Sequence, residues 1–80
     1  MKIKIVPFGI AKEIMQGSNI TLDLDVSASI ADLKKILKEE YPDFERLNSL
    51  KFAINENYEA DHFQMQEGDE VVIIPPVSGG

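Results

Sequence analysis

Side chains able to do covalent chemistry are few in this sequence of 80 residues, which has no cysteine and one histidine, His62. Thiolate catalysis, a stapling disulfide and a structural Cys/His zinc site are therefore excluded. His62 has no thiol to activate and no assignable serine partner, so it reads as an ordinary surface or turn residue. The acids Asp61, Glu67, Asp69 and Glu70 match no cation-binding loop in their spacing and read as a solvated turn, with no metal site. Lys34, Lys35 and Lys38 make a basic strip too short to grip nucleic acid on a chain of net charge −6. What remains is the closing run Pro75-Pro76-Val77-Ser78-Gly79-Gly80. The prolines cannot join a hydrogen-bonded ladder and favour an extended exit, which at about 3.3–3.6 Å per residue spans roughly 20 Å. Gly79 and Gly80 lack side chains and could enter a slot too narrow for any other residue. Terminal glycines are commonly frayed ends. The join distinguishes this end, because a β-forming run leads through a rigid pair to a thin tip.

A scaffold must hold that tip, and the apolar spacing outlines one. Ile3 and Ile5 alternate with Lys2 and Lys4, which predicts a strand with one wet face. Ile10 and Ile14, with Gly17 just after, suit a short helix closed by glycine. Ile20, Leu22, Leu24 and Val26 alternate with polar residues and form the cleanest strand signal. Ser29 precedes a helical face of Ile30, Leu33, Ile36, Leu37 and Tyr41, with Asp32 placed to complete a capping box and Pro42 ending the helix near residue 40. Leu50, Phe52 and Ile54 predict a third strand, followed by a turn at Asn55-Glu56-Asn57 and a weak strand near Tyr58. Val71-Val72-Ile73-Ile74 is a continuous β-forming run, expected to lie mid-sheet with both faces buried. One amphipathic helix on one mixed sheet gives a two-layer α+β domain over residues 1–74, with 75–80 as its extended tail.

Charge adds a constraint on partners. Residues 1–40 carry six lysines and six acids, whereas residues 41–80 carry Arg46 and Lys51 against eight acids. That surplus disfavours phosphate backbones and anionic membranes and suits a basic protein partner, although plain solubility explains it equally well. No stretch approaches the ~18 apolar residues of a membrane span, and residues 1–5 alternate rather than form an export signal, so a cytoplasmic location is expected.

The run from Glu67 through Gly68-Asp69-Glu70-Val71 to Pro75-Pro76-Val77-Ser78-Gly79-Gly80 resembles the closing segment of the molybdopterin synthase small-subunit family. Phe8-Gly9-Ile10-Ala11-Lys12-Glu13 with Gly17, Ser29-Ile30-Ala31-Asp32-Leu33 and Phe52-Ala53-Ile54-Asn55 are similar to further segments of that family, so the likeness covers nearly the whole chain. Lys12 stands where the family usually has arginine, and Gly9 where it usually has alanine. The resemblance implies a ubiquitin-like β-grasp fold and a sulfur carrier that is not an enzyme on its own. It implies that an ATP-dependent activating enzyme adenylates Gly80, that a sulfur donor protein converts the adenylate to a thiocarboxylate, and that the tail, Pro75 through Gly79, inserts into the active site of a large subunit. There the sulfur builds the dithiolene of a pterin. It further implies a heterotetramer, no bound cofactor, and a possible interface role for Phe8. With no thiol in the chain, the terminus is the only place such sulfur could reside. A carrier for thiamine thiazole synthesis and a ubiquitin-like modifier share the Gly-Gly ending and stand as alternatives.

Overall fold

A computed structural model describes residues 1–47 and 49–76 of the chain. Strand β1 spans Lys2–Pro7, and its alternation is realised as the sequence predicts, with Ile3, Ile5 and Pro7 buried and Lys2 and Lys4 in water. Helix α1, Ile10–Met15, follows and buries Ala11 and Met15. Its end differs from the expectation that Gly17 closes it. Gln16 takes the left-handed conformation (φ 56°, ψ 43°), and its N–H donates to the Lys12 carbonyl. Gly17 is instead a packing site, where a Cβ would sit 3.4 Å from the Ile20 side chain.

Strand β2, Ile20–Asp23, is shorter than its alternation suggests. It pairs antiparallel with β1, and its final register partner is Lys2. One more bond follows, from the Leu24 N–H to the Met1 carbonyl at 2.8 Å, and beyond it β1 offers no neighbour. The chain then turns through Ser27, whose φ is 70°. Leu24 stays buried, but Val26 is 82% exposed, contrary to its place in the expected strand.

Helix α2, Ile30–Glu40, starts at a reciprocal capping box. The Asp32 N–H donates to Ser29 Oγ at 3.2 Å, and the Ser29 N–H donates to Asp32 Oδ2 at 2.9 Å. Aspartate thus fills the position usually held by a longer acid or amide. A 3-10 turn over Pro42–Arg46 follows, which the sequence patterning did not reveal. It drives Phe44 fully into the core, edge-on to Tyr41 with ring centres 6.2 Å apart.

Strands β3 (Lys51–Ile54) and β4 (Asn57–Glu59) form a hairpin, and β5 spans Glu70–Ile74. The sheet order is β2-β1-β5-β3-β4. The pairing of β5 with β1 is parallel and that with β3 antiparallel, so the last strand is central, as predicted. The expectation that both its faces are buried is corrected. Val71 and Ile73 enter the core with Ile30, Leu33 and Leu37 of α2, while Val72 and Ile74 on the other face are only half-buried. One helical layer over one face of a mixed sheet is the ubiquitin-like β-grasp, an α+β fold.

Candidate functional site

The root of the tail is fastened on both sides by the sheet. Ile73 pairs with Phe52 of β3 and with Pro7 of β1, and its carbonyl accepts from the Phe8 N–H at 3.0 Å. Ile74 pairs with Lys51. Pro75 and Pro76 come next, and having no N–H they cannot extend either ladder. Among the described residues the ladder ends at Ile74, and beyond it Pro75 is half-buried and Pro76 exposed. The four remaining predicted site residues, Val77, Ser78, Gly79 and Gly80, lie outside the described residues.

Strand register determines what surrounds this root. Val72 is flanked by Val6 on β1 and by Ala53 on β3, and Ala53 faces Tyr58 on β4. Because side chains alternate, these four lie on the sheet face opposite α2, as an apolar stripe across four strands, with Ile74 beside it. Charges frame the stripe. Lys4 and Glu70 approach to 3.8 Å on one side, and on the other the Lys51 ammonium lies 6.0 Å from the centre of the Tyr58 ring. Tyr58 is 68% exposed. A shallow groove of about 250 Å³ runs from this edge to the tail, lined by Ser49, Lys51, Tyr58, Ile74, Pro75 and Pro76. The surface can bind an apolar partner face through its middle and read charge at its rims.

Phe8 and Gly9 complete the rim. Phe8 is 53% exposed beside the end of β5, a placement that suits the interface role considered for it. Gly9 has φ 55° and ψ −131°, and the Ala11 N–H donates to the Phe8 carbonyl at 3.0 Å. These are the angles of the first central residue of a type II′ turn, which L-residues with a Cβ avoid. That conformation suits glycine at position 9.

Other chemistry-bearing side chains are engaged separately. His62 is exposed in a turn closed by the Phe63 N–H and the Ala60 carbonyl. Asp61 binds Lys34 at 2.6 Å, Glu67 accepts from the Lys2 N–H, and Asp69 accepts from Asn55 Nδ2 and the Gln66 N–H. Among the described residues, no group of three or more His, Cys, Asp or Glu could hold a metal ion. Lys34 leaves the basic strip to lie 5.6 Å from the Phe52 ring centre. The stripe residues Val6, Ala53 and Tyr58 were missed as a site by sequence reasoning. Each sits on a different strand, and only the register brings them together.

Comparison with known proteins gives concordant results. A model of the ThiS family matches residues 5–80. The molybdopterin synthase sulfur carrier subunit of Arabidopsis thaliana is 32% identical over 81 residues, an alignment covering all of this chain and 84% of the relative. SAMP1 from Haloferax volcanii superposes with a TM-score of 0.84 at 24% identity, with both chains fully covered, a likeness of fold. A protein in the complex of subunits 1 and 2 of molybdopterin-converting factor from Helicobacter pylori 26695 is 25% identical, with both chains fully covered and a TM-score of 0.69.

Proposed function

The chain belongs to the ThiS family, and from that premise we propose that it is the sulfur-carrying small subunit of molybdopterin synthase, with Gly80 as its reactive residue. The observation that carries the reading is the tail root, where the central strand delivers two prolines to the edge of an exposed apolar face. The curated relatives that align along the whole chain support the pterin pathway over thiazole synthesis.

The chemistry follows from the poor electrophilicity of a carboxylate, whose charge is delocalised and whose oxygen leaves badly. In the activating enzyme the Gly80 carboxylate attacks the α-phosphorus of ATP, expelling pyrophosphate and forming an acyl adenylate. A persulfide on a donor protein then displaces AMP to give an acyl disulfide, and a thiol cleaves its S–S bond, releasing the thiocarboxylate and leaving the donor sulfur in a disulfide. In the large subunit that sulfur forms a C–S bond to a carbon of the cyclic pterin phosphate as a C–O bond at that carbon breaks, the oxygen leaving as water or staying with the phosphate. Water cleaves the acyl C–S bond, returning Gly80 as a carboxylate and leaving sulfur on the pterin. A dithiolene contains two sulfurs, so two loaded carriers are spent per product. The large subunit supplies the acid, base and phosphate-binding groups, and the carrier needs no cofactor of its own.

Association divides between body and tail. Ordering the tail costs roughly 1–2 kcal/mol per residue, so the stripe through Val72 supplies much of the affinity for the large subunit. One carrier serves each active site, giving a heterotetramer that works in the cytosol, where ATP and the activating enzyme are available. No helix among the described residues is long and apolar enough to cross a membrane. The test is single-turnover transfer from carrier loaded with isotopic sulfur to the pterin in the presence of the large subunit. Label appearing in the dithiolene, at two carriers per product, is expected. Label retained on the carrier or released as sulfide overturns the reading.

A further inference from the structure

Strand β2 stands first in the sheet order, so its backbone is laddered on one side only. The Leu24 N–H donates to the Met1 carbonyl, and antiparallel bonding alternates, so Ile20, Leu22 and Leu24 turn their peptide groups toward β1. Thr21 and Asp23 turn theirs outward, and among the described residues no backbone group bonds to them there. At the end of this edge a hollow of about 280 Å³ lies between the turn after β2 and helix α2, with Asp25, Val26, Asp32, Lys35 and Ile36 in its lining. Ile20, Leu22 and Ile36 are only half-buried at the margin of the core, and Val26 is 82% exposed at the hollow. A row of free peptide groups beside half-covered aliphatic side chains is the geometry that accepts an added strand.

We propose that the outer edge of β2 binds an extended segment of another protein, one alternating lysine or arginine with aliphatic residues, added antiparallel as a further strand of the sheet. Strand β1 is the template for this partner. On its inner side β2 already pairs with Lys2-Ile3-Lys4-Ile5, where Lys2 faces Asp23, Ile3 faces Leu22 and Ile5 faces Ile20. A strand side chain is presented equally to the neighbours on both sides. An outer strand therefore meets the same aliphatic row on the α2 face and the same carboxylate on the open face. At the hollow, Asp25 and Asp32 outnumber Lys35. A second copy of this chain fits the edge badly. Two β2 edges would bring their Asp23 side chains to one face, with no cation on either strand to offset them. The apolar stripe crosses β1, β5, β3 and β4 but not β2, so this edge is separate from the surface assigned to the large subunit. The inference does not rest on the sulfur-carrier reading.

The probe is a capped seven-residue peptide alternating lysine with valine, titrated into the isotope-labelled full chain by nuclear magnetic resonance. A dissociation constant tighter than about 1 mM is expected, a level suited to a short edge and a transient partner. Near saturation the outward amides of Thr21 and Asp23 should exchange with solvent at least about threefold more slowly, while Leu22 and Leu24 keep their rates. Two control peptides separate strand pairing from charge attraction. Methylating the lysine amide nitrogens keeps every charge but removes the donors facing the edge, and should weaken binding at least about tenfold. Glutamate in place of lysine should weaken it at least about tenfold as well. Joint replacement Asp23→Asn and Asp25→Asn, at two exposed side chains, should weaken the lysine peptide at least about threefold in a folded chain. If that variant fails to fold, the peptide controls on the wild-type chain decide. No binding up to about 1 mM overturns the proposal. So does unchanged affinity for either control peptide or for the folded variant, or a response centred on Val72 and Tyr58. Self-association of the free chain that protects the Thr21 and Asp23 amides also overturns it, because a second copy then occupies the edge.

Discussion

Replacing Val72 with lysine puts a charge at the centre of the open sheet face and separates docking from folding. Val72 is half-buried on the central strand, between Val6 and Ala53 by register, while its neighbours Val71 and Ile73 face the core. In the free protein a lysine there can run its stem along the stripe and keep its ammonium in water. The cost to folding is then mainly lost β propensity and packing, about 1 kcal/mol or less. For a domain of this size that lowers the melting temperature by no more than about 4–8 °C. Docking against an apolar partner surface would trap the same ammonium without a partner, a penalty of about 3–5 kcal/mol. At about 1.4 kcal/mol per tenfold, the dissociation constant rises at least about 100-fold. Isothermal titration of the variant into the large subunit measures this, and circular dichroism melting checks the fold. Binding within threefold of wild type, by a folded variant, would refute the assignment of the stripe as the docking surface.

Three further outcomes follow from the same geometry. Deleting Gly79-Gly80 should abolish sulfur transfer while titration shows most of the affinity retained, because the body supplies it; complete loss of binding would move the affinity to the tip. Asn55 and Glu56 form the two-residue hairpin loop with φ of 48° and 77°, a geometry that prefers glycine at the second position. Glu56→Gly should therefore stabilise the fold by about 1 kcal/mol in urea titration, because the relief of left-handed strain exceeds the added chain entropy. Phe44→Ala should cost about 3–5 kcal/mol by opening a cavity under the 3-10 turn, enough to leave a domain this small largely unfolded by circular dichroism at 37 °C.

The elements legible in the sequence were those whose signal is local. Val71 through Ile74 followed by two prolines announces a central strand and an exit, and Ser29 with Asp32 announces a helix start. The failures were non-local. The alternation through Val26 continues past the point where β1 offers hydrogen-bond partners, so periodicity alone overextends the strand. Apolarity on both faces of β5 reads as double burial, whereas Val72 and Ile74 line an open face, and a surface that waits for a partner is patterned like a core. Phe44 follows Pro42 in a segment with no period to betray its burial. The tip glycines stood out for the opposite reason. Two successive positions without side chains are a local signal.

The central claim is that Gly80 is the residue altered covalently during function. An intact-mass spectrum of the chain, made beside its ATP-dependent activating enzyme and a sulfur source, tests this most directly. One oxygen-for-sulfur exchange is expected, an increase of about 16 Da, mapping to the C-terminal peptide and dependent on ATP. An unchanged mass under loading conditions, or sulfur mapping to any other peptide, would contradict the account.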